Sequence, residues 1–449
     1  MVSLPKPPPN LAPLLDEVFD DPTIAMRALN AGKAERDYVP WDKLRFKTPP
    51  AGLDRRQWWA GIKLARLQQS RQLPLVDSSG RPFTYALPDV VLESLDDIST
   101  RARGTVSTPE LVASPALRDR YLVNSLMEEA ITSSQLEGAV TTRRMAKELL
   151  RTNRTPRDRS ERMIVNNFHA MQFVRDHVTD DLTPALVCEL HRIVTEGTLD
   201  HPDAAGRLQL PSEPRVGVWA ALEDVQLHEP PPAVDLPARL ARLCAFANGA
   251  QASGWMPPLL RAIITHFMAG YDHYFEDGNG RTARALFYWV ALKNGFWLME
   301  FVAISRILRD APVQYAESYL HSEQDDGDVT YFALYQLKVI RRAINELHEY
   351  LARKAVEVRS ARDAVSSLGL NHRQVAIVEG ALRDGNLRLT AQSHATSHDV
   401  TIATARGDLR GLQRLGLLTS THEGRAEVWR PVRRFAETLG TVNLPATDS

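Results

Sequence analysis

Apolar residues recur at intervals of three and four along most of the chain from residue 109 onward, which is the period of an amphipathic helix. The stretches LVNSLMEEAI, MIVNNFHAMQFV and ALVCELHRIV all show this spacing. Further helices are predicted over residues 235–252, 256–272, 280–294 and 328–360. The sequence therefore predicts a mainly α-helical protein.

One internal region and one terminal region depart from the helical period. Between residues 200 and 234, glycines and prolines are interspersed with Val216, Val218 and Val225, which predicts a short β-hairpin. Residues 369–434 contain three short helical stretches and then two alternating runs around a Glu-Gly turn. Three helices followed by a two-stranded wing are typical of a winged helix-turn-helix domain.

These patterns divide the 449 residues into five segments, in line with about three folded domains at roughly 150 residues each. The segments are a loosely ordered, proline-rich N-terminal segment (1–35), a small tryptophan-rich module (36–108), a helical core (109–365), the winged helix-turn-helix (366–435) and a flexible tail (436–449). Within the helical core, a helix over about 124–138 precedes the hairpin.

Composition narrows the function classes. The 54 basic and 55 acidic residues give a formal net charge of -1, so a role in nucleic-acid binding would belong to one domain and not to the whole chain. Residues 369–434 contain ten arginines, no lysine and six acidic residues, which is a local excess of positive charge. The sequence has no apolar run of about 18 residues and no start of the secretory type, so we expect a cytoplasmic protein that does not enter a membrane.

The stretch HYFEDGNGRTAR at residues 273–284 concentrates the candidate chemistry. A long apolar helix runs into the sequence Asp-Gly-Asn-Gly, and a second helix is predicted to begin at Arg281. Gly278 and Gly280 permit positive φ angles and let backbone N–H groups approach a ligand closely. Because the second helix directs its N-terminus at the same loop, this stretch predicts an anion-binding site.

The charged side chains of this stretch fit a phosphate ligand. Arg281 and Arg284 lie on neighbouring positions of the first helical turn and provide forked donors that suit phosphate oxygens. Asp277 offers a hard oxygen ligand for Mg²⁺, which takes one or two carboxylates together with phosphate oxygens. His273 is the nearby group whose pKa suits a general base at neutral pH. Together these residues predict a site for phosphate transfer.

The full pattern H-x-F-x-D-G-N-G-R-x-x-R resembles the signature of the Fic family at every defining position, with Tyr274 where a proline is often found. A second stretch, Ser133-Ser-Gln-Leu-Glu137-Gly138, resembles the motif of the family's inhibitory helix, Ser/Thr-x-x-x-Glu-Gly/Asn. The resemblance extends over roughly residues 38–435 and implies a Fic-type helical core with a hairpin flap. The tryptophan-rich front and the C-terminal wing resemble flanking modules of one subgroup, in which the inhibitory helix precedes the core.

Fic enzymes transfer AMP from ATP to a hydroxyl side chain of a target protein, and the resemblance implies roles for the signature residues. His273 would deprotonate the incoming Ser, Thr or Tyr hydroxyl, and Asp277 would hold Mg²⁺ on the phosphates. The α-phosphate would be cradled by Gly278, Asn279 and Gly280. Arg281 would contact the β-phosphate and Arg284 the γ-phosphate of ATP.

The resemblance also implies roles outside the phosphate site. Phe275 would anchor the loop on the core. Glu137, flanked by Ser133 and Gly138 in its motif, would pair with Arg284 and block productive binding of the γ-phosphate. The flap would contain Val216, Gly217 and Val218 and would bind an extended segment of the target by strand addition.

Three interpretations of the function are open at this point. The first is an autoinhibited protein adenylyltransferase that modifies a target protein or itself. The second is a DNA-binding transcriptional regulator in which the Fic core serves as a nucleotide sensor. The third keeps the enzyme but changes the reaction, to transfer of another nucleotide or to removal of AMP. The intact His273 favours an enzyme, because a sensor needs the phosphate site but no base.

The winged helix-turn-helix leaves alternatives of its own. The helix over 401–415 would be the recognition helix, and Arg406, Arg410 and, in the wing, Arg425 are candidate DNA contacts. Alternatively, the domain serves dimerisation or regulation, which would make a homodimer a further partner, or it is a structural cap.

Overall fold

The structure is a computed structural model that describes residues 4–103, 115–219, 226–250, 254–383, 387–423, 426–435 and 438–439. The chain divides into two compact units. The first comprises Met1–Val106 and Tyr121–Ile344, and the second comprises Ser107–Arg120 and Asn345–Ser449. This division differs from the predicted segments, because it does not separate residues 36–108 from the helical core and because its later boundary falls inside a continuous helix.

The prediction of a mainly α-helical fold with small antiparallel sheets is confirmed. Helices α1 to α15 are, in chain order, Leu11–Phe19, Pro22–Lys33, Trp41–Leu44, Arg55–Gln69, Asp89–Arg103, Pro115–Leu136, Arg143–Thr152, Arg159–Asp176, Pro184–Thr195, Leu236–Ala247, Pro258–Asp272, Asn279–Lys293, Ile304–Asp310, Pro312–Gln324 and Thr330–Ser367. Short 3-10 helices lie at Pro202–Ala204, Ala233–Asp235 and Trp297–Phe301. None of the described helices combines the length and the apolar content needed to span a bilayer.

The expectation of a loosely ordered N-terminal segment is wrong for α1 and α2. Both helices contribute to a buried cluster with α4, and Asn10 and Asp21 cap their N-termini. The prolines that suggested disorder lie before α1 or in a first helical turn, where a missing N–H costs no hydrogen bond. Helices α2 and α4 approach so closely that a Cβ on Gly61 would lie within 1.9 Å of the Ala28 carbonyl oxygen.

Helices α11 and α12 are the centre of the first unit and form a closely packed pair joined by residues 273–278. Both are buried along most of their length, including the first two turns of α12. Helices α8 and α9 pack beside α12, and α10 packs against α11. The connecting loop therefore emerges from a rigid, fully packed scaffold.

The first unit contains two small β-hairpins among its described residues. Strands β1 (Arg71–Val76) and β2 (Pro82–Tyr85) form one that the sequence pattern did not reveal. Strands β3 (Val218–Trp219) and β4 (Gln226–His228) pair antiparallel within the predicted hairpin region. Val225, which helped to predict that hairpin, lies outside the described residues.

In the second unit, α16 (His372–Arg383), α17 (Ala391–His398) and α18 (Ile402–Arg414) precede β6 (Leu418–Glu423) and β7 (Ala426–Pro431). A short strand β5 (Leu389–Thr390) completes a sheet of order β5-β7-β6. The helices and the sheet enclose a core around Trp429. This element order agrees with the one predicted, while the assignment as a winged helix stays a prediction. Arg425 and most of the tail over 436–449 lie outside the described residues.

Candidate active site

The loop between α11 and α12 is closed by its own side chains. Asn279 Oδ1 accepts a hydrogen bond from the Phe275 backbone N–H at 2.9 Å, and Asn279 Nδ2 donates to the Phe275 carbonyl oxygen at 2.7 Å. Gly278 caps α12 with a φ of 81°. The Asn279 side chain is thereby committed to the loop, so its backbone N–H is the group left for a phosphate.

Phe275 is buried and lies flat against the ring of His191, with the ring centroids 3.7 Å apart and the planes 4° apart. His191 Nε2 donates to the Asp277 carbonyl oxygen at 2.8 Å, while Nδ1 accepts from the Gly206 N–H at 3.0 Å. Burial lowers the pKa of His191 to about 4, so the ring is neutral at pH 7. His191 therefore fixes the loop on α9, a role that the sequence pattern did not reveal.

Tyr274 occupies the signature position where a proline is often found, and its phenol is buried. The Tyr274 hydroxyl donates to Asp272 Oδ2 at 2.6 Å. Asp272 Oδ1 accepts in turn from Arg239 Nε at 2.7 Å. The tyrosine thus ties the start of the loop to α10 through a buried carboxylate.

His273 ends α11 in the left-handed region, with a φ of 49°, which is uncommon for a residue other than glycine. Its Nδ1 donates to the Val216 carbonyl oxygen at 2.9 Å. Burial lowers the pKa of His273 to about 4. Because Nδ1 carries the proton of the neutral ring, Nε2 has the lone pair that accepts a proton.

Arg215, immediately before the flap residues, holds the flap against the end of α11. Its Nη2 donates to the carbonyl oxygens of Asp272 at 2.9 Å and His273 at 3.1 Å, and its Nε donates to that of Pro231 at 2.8 Å. A further bond runs from Nη1 to Gln209. Sequence analysis missed this residue, which sets where Val216 meets His273.

The predicted flap residues lie beside His273 in different ways. Val216 provides the carbonyl oxygen for the histidine, and Val218 pairs with His228. Gly217 has no side chain where β4 of the same hairpin passes, and a Cβ there would approach Gln226 Nε2 to 2.6 Å. His228 fastens the hairpin to the core by bonds to the Tyr271 carbonyl oxygen at 2.7 Å and to Glu323 Oε2 at 2.8 Å.

Arg281 is fully buried, yet much of its guanidinium is unsatisfied. Its Nη1 donates to the Val194 carbonyl oxygen at 2.9 Å, and Nη2 lies 3.7 Å from Asp277 Oδ2. Within the described residues, Nε and Nη2 make no hydrogen bond. Burial lowers the pKa of Arg281 from its usual value. A buried cation with unused donors, at the N-terminus of α12, is an arrangement that an anionic ligand completes.

Asp277 is the exposed acidic group of the loop, with 41% of its side chain accessible. Its Oδ1 accepts from the Gly278 N–H at 2.5 Å, and Arg159 Nη2 lies 3.4 Å from Oδ2. In the described part of the chain, no three His, Cys, Asp or Glu side chains converge as a metal site. A single carboxylate of this kind fits Mg²⁺, which is bound largely through phosphate oxygens and water.

Glu137 meets Arg284, as predicted, just beyond the end of α6. Glu137 Oε1 accepts from Arg284 Nη2 at 2.8 Å. Ser133 holds the same guanidinium by its hydroxyl, 2.8 Å from Nε, and by its carbonyl oxygen, 3.1 Å from Nη2. Burial acts to lower the pKa of Arg284, but the charge and hydrogen bond of Glu137, together with Tyr315 and Glu129, raise the pKa above its usual value.

Two glycines make the approach of Glu137 feasible. Gly138 turns the chain out of α6 with a φ of 91°. Gly280 has no side chain at the point of contact, and a Cβ there would lie 2.1 Å from Glu137 Oε1. The glutamate therefore occupies the space directly above the first turn of α12.

A second carboxylate fixes α6 on the same side. Glu129 lies two helical turns before Glu137 and is buried. Its Oε2 accepts from the Tyr288 hydroxyl at 2.9 Å and from the Ser305 N–H at 3.0 Å, and its Oε1 accepts from the Ser305 hydroxyl. Glu129 and Ser133 on α6, and Glu137 just beyond its end, thus bond to α12 at two levels, and sequence analysis missed the first of them.

The candidate DNA contacts of the second unit are on the surface of α18. Arg406 and Arg410 are both exposed, and Arg410 Nη2 lies 3.9 Å from Glu427 Oε2. The inward face of α18 is buried at Ala405, Leu409 and Leu412, whereas Ile402 is exposed.

Comparison with known proteins agrees with this geometry. Residues 181–291, which include the loop and α12 up to Ala291, match the Fic/DOC family. A Fic family protein from Desulfovibrio desulfuricans G20 has a similar structure, with 18% identity and a TM-score of 0.53 over 78% of this chain and 97% of that one. No curated protein sequence matches the chain.

Two further structures are similar at lower scores. Fic-1 from C. elegans gives 17% identity and a TM-score of 0.48 over 74% of this chain and 87% of that one. A Fic domain containing signaling protein from Bacteroides thetaiotaomicron gives 19% identity and a TM-score of 0.43 over 57% of this chain and 93% of that one. From the family match and the fold of the first structure, we conclude that residues 181–291 carry a Fic/DOC family domain within a Fic-like fold.

Proposed function

We propose that the chain is an autoinhibited protein adenylyltransferase, which transfers AMP from ATP to a Ser, Thr or Tyr hydroxyl of a target protein or of itself. The Fic family is known for nucleotide transfer to proteins. The observation that carries the proposal is Arg281, a fully buried guanidinium with unused donors beside the N-terminus of α12. Arg281 lies in the first turn of α12, directly after the loop that begins with the neutral His273. An anion bound by Arg281 is therefore near a group that can accept a proton.

His273 is suited to begin the reaction. Its Nε2 takes the proton of the target hydroxyl while Nδ1–H stays on the Val216 carbonyl oxygen. The hydroxyl oxygen then forms a bond to the α-phosphorus, and the bond from phosphorus to the leaving pyrophosphate breaks with its electron pair. The bond to Val216 keeps the ring in one orientation throughout, which is the main contribution of the flap to the proton transfer.

The loop and α12 are suited to stabilise the phosphates. Backbone N–H groups of residues 278–280 begin α12 and favour negative charge there. Arg281 adds its unused donors without a desolvation cost at the moment of reaction, because it is already buried. Asp277 is the residue that would hold Mg²⁺, which, when bound, neutralises charge on the phosphate oxygens.

Autoinhibition follows from the contact between Glu137 and Arg284. A γ-phosphate that reached for Arg284 would meet a carboxylate 2.8 Å from the same nitrogen. Two anions cannot share that donor without strong repulsion, so the triphosphate is displaced from its productive position. The carboxylate must leave before AMP transfer proceeds.

Labelling with α-labelled ATP and Mg²⁺ tests the proposal. Glu137→Gly is expected to incorporate at least tenfold more label into protein than wild type, since it frees one Arg284 donor. Glu137→Gly/His273→Ala is the matched control and is expected to lose about 100-fold of that label. Equal labelling of wild type and Glu137→Gly would refute the autoinhibition. Label that survives His273→Ala would refute the role of the histidine.

A DNA-binding regulator is a second candidate, favoured by the surface of α18. The helix exposes Arg406, Arg410 and Arg414, while its one acidic residue, Asp408, is turned inward to Arg373. The outward charged side chains of α18 are arginines, which suits a phosphate backbone, and Arg410 also lies 3.9 Å from Glu427 Oε2 of β7. Retention of full-length protein on duplex DNA is expected to weaken uniformly across sequences in Arg406→Ala/Arg410→Ala. Unchanged retention and an unchanged salt slope would exclude this role.

A further inference from the structure

The arginines of the basic run RTNRTPRDRSER, at residues 151–162, bind different partners. Arg154 is committed to Glu161, with bonds of 2.8 and 2.6 Å. Arg159, the first residue of α8, reaches the active-site loop instead. One member of this run is therefore part of the phosphate site, although it lies 118 positions before Asp277.

The Arg159 guanidinium lies between two carboxylates. Its Nη1 is 3.3 Å from Asp200 Oδ1, and its Nη2 is 3.4 Å from Asp277 Oδ2. Asp200 and Asp277 come from different segments, and Asp277 has a second cation nearby, since Arg281 Nη2 lies 3.7 Å from its Oδ2. Arg159 thus places a positive charge beside both carboxylates, where it competes with a divalent ion for their oxygens.

The two arginines near Asp277 differ in their freedom to move. Arg281 is fully buried and bonded to the Val194 carbonyl oxygen. Arg159 leaves 54% of its side chain exposed, and its contacts with carboxylates are of the kind that solvent competes with. Arg159 is therefore the cation that can exchange partners when a ligand enters.

We propose that Arg159 is a removable counterion of Asp277, which keeps free divalent cations off the carboxylate until they arrive with a polyphosphate. The polyphosphate supplies the charge that releases Arg159 from Asp277, and the guanidinium then pairs with phosphate oxygens at the mouth of the site. This rests on the proposed function, in that Asp277 is taken as the ligand of Mg²⁺. It adds a selectivity: the site accepts the metal–nucleotide complex in preference to the bare ion.

Mn²⁺ binding to the full chain without nucleotide tests the proposal directly, by the electron paramagnetic resonance signal of the free ion. Arg159→Gln is expected to bind Mn²⁺ about tenfold more tightly than wild type, because a positive charge near the ion is removed. Arg157→Gln is the matched control from the same run, since the described contact of Arg157 is a backbone bond to Glu161. It is expected to bind Mn²⁺ as wild type does.

A second variant locates the gained site. Adding Asp277→Asn to Arg159→Gln is expected to abolish the gain, and adding Asp200→Asn is expected to reduce it. An unchanged Mn²⁺ affinity in Arg159→Gln would overturn the proposal, as would a gain that survives Asp277→Asn. Because no nucleotide is present, failure here is distinct from failure of AMP transfer, which the labelling of Glu137→Gly reports separately.

Discussion

The first turns of α12 and the surface of α18 both carry arginines suited to binding negatively charged ligands, but the two sets of arginines differ widely in burial. Arg281 and Arg284 are 0% and 1% exposed, whereas the Arg410 side chain is 61% exposed. Burying a guanidinium without hydrogen-bond partners costs free energy of folding, whereas an exposed guanidinium forms hydrogen bonds with water. The unused donors of Arg281 therefore specify a ligand, while Arg410 is compatible with several roles.

Replacing arginine by lysine is expected to give the largest difference in ligand binding between these two regions. Arg281→Lys keeps the charge but loses the fork, and we expect ATP affinity in the Glu137→Gly background to fall about 100-fold. Arg410→Lys keeps a point charge at the surface and is expected to leave any DNA retention nearly unchanged. Calorimetric titration with ATP, with thermal unfolding as the check on folding, measures the first effect. An equally small loss of ATP affinity in Arg281→Lys and of DNA retention in Arg410→Lys would show that burial does not distinguish the two regions.

The buried anchor of α6 is expected to give the next largest effect. Glu129→Gln puts an amide donor where donors from Tyr288 and Ser305 converge, which loosens α6 without touching Arg284. We expect labelling from α-labelled ATP to rise about tenfold over wild type. Glu128→Gln, whose partners are Arg143 and Lys147, is the adjacent control and should label as wild type does. Equal labelling by Glu129→Gln and Glu128→Gln would show that the anchor does not restrain the helix.

Buried histidines give the smallest expected effect, on stability against pH. Burial lowers the pKa values of His191, His266 and His273 to about 4, 3 and 4. In the unfolded chain these rings titrate near 6.5, so between about pH 6.5 and pH 4 the unfolded state binds more protons than the folded state. Stability therefore falls as the pH falls through this window.

Thermal unfolding at pH 7 and pH 5 measures that effect, and we expect the midpoint to fall by several degrees at the lower pH. His266→Gln removes one buried ring and is expected to reduce the fall. His422→Gln, at an exposed position of β6, should leave it unchanged. A fall that is the same in wild type and His266→Gln would mean that the buried ring does not cause it.

Local signals predicted the core of the site well. The predicted helices over 256–272 and 280–294 appear as Pro258–Asp272 and Asn279–Lys293, because long apolar periodicity and a glycine loop leave few alternatives. The contact of Glu137 with Arg284, implied by family resemblance, is present. Proline content misled the interpretation of residues 1–35, since Asp21 and Pro22 begin a helix there.

The supporting residues could not be predicted, because their partners are distant in sequence. Arg215 binds a carbonyl oxygen 57 positions away, His191 one 86 away, and Glu129 a serine 176 away. None has a local pattern that distinguishes it from other polar residues on a helix or in a loop. Only the folded chain reveals that these side chains orient the loop, the flap and α6.

Arg284 donates three hydrogen bonds, one to Glu137 and two to Ser133, and this arrangement affects how easily a mutation relieves the autoinhibition. Loss of Glu137 leaves two bonds from Ser133 in place, at 2.8 and 3.1 Å. One of these comes from the backbone carbonyl oxygen, which no substitution at position 133 removes. The Ser133 bonds orient Arg284 without adding a negative charge, so a lineage that lost only Glu137 would keep the arginine in place and lose the restraint in one step.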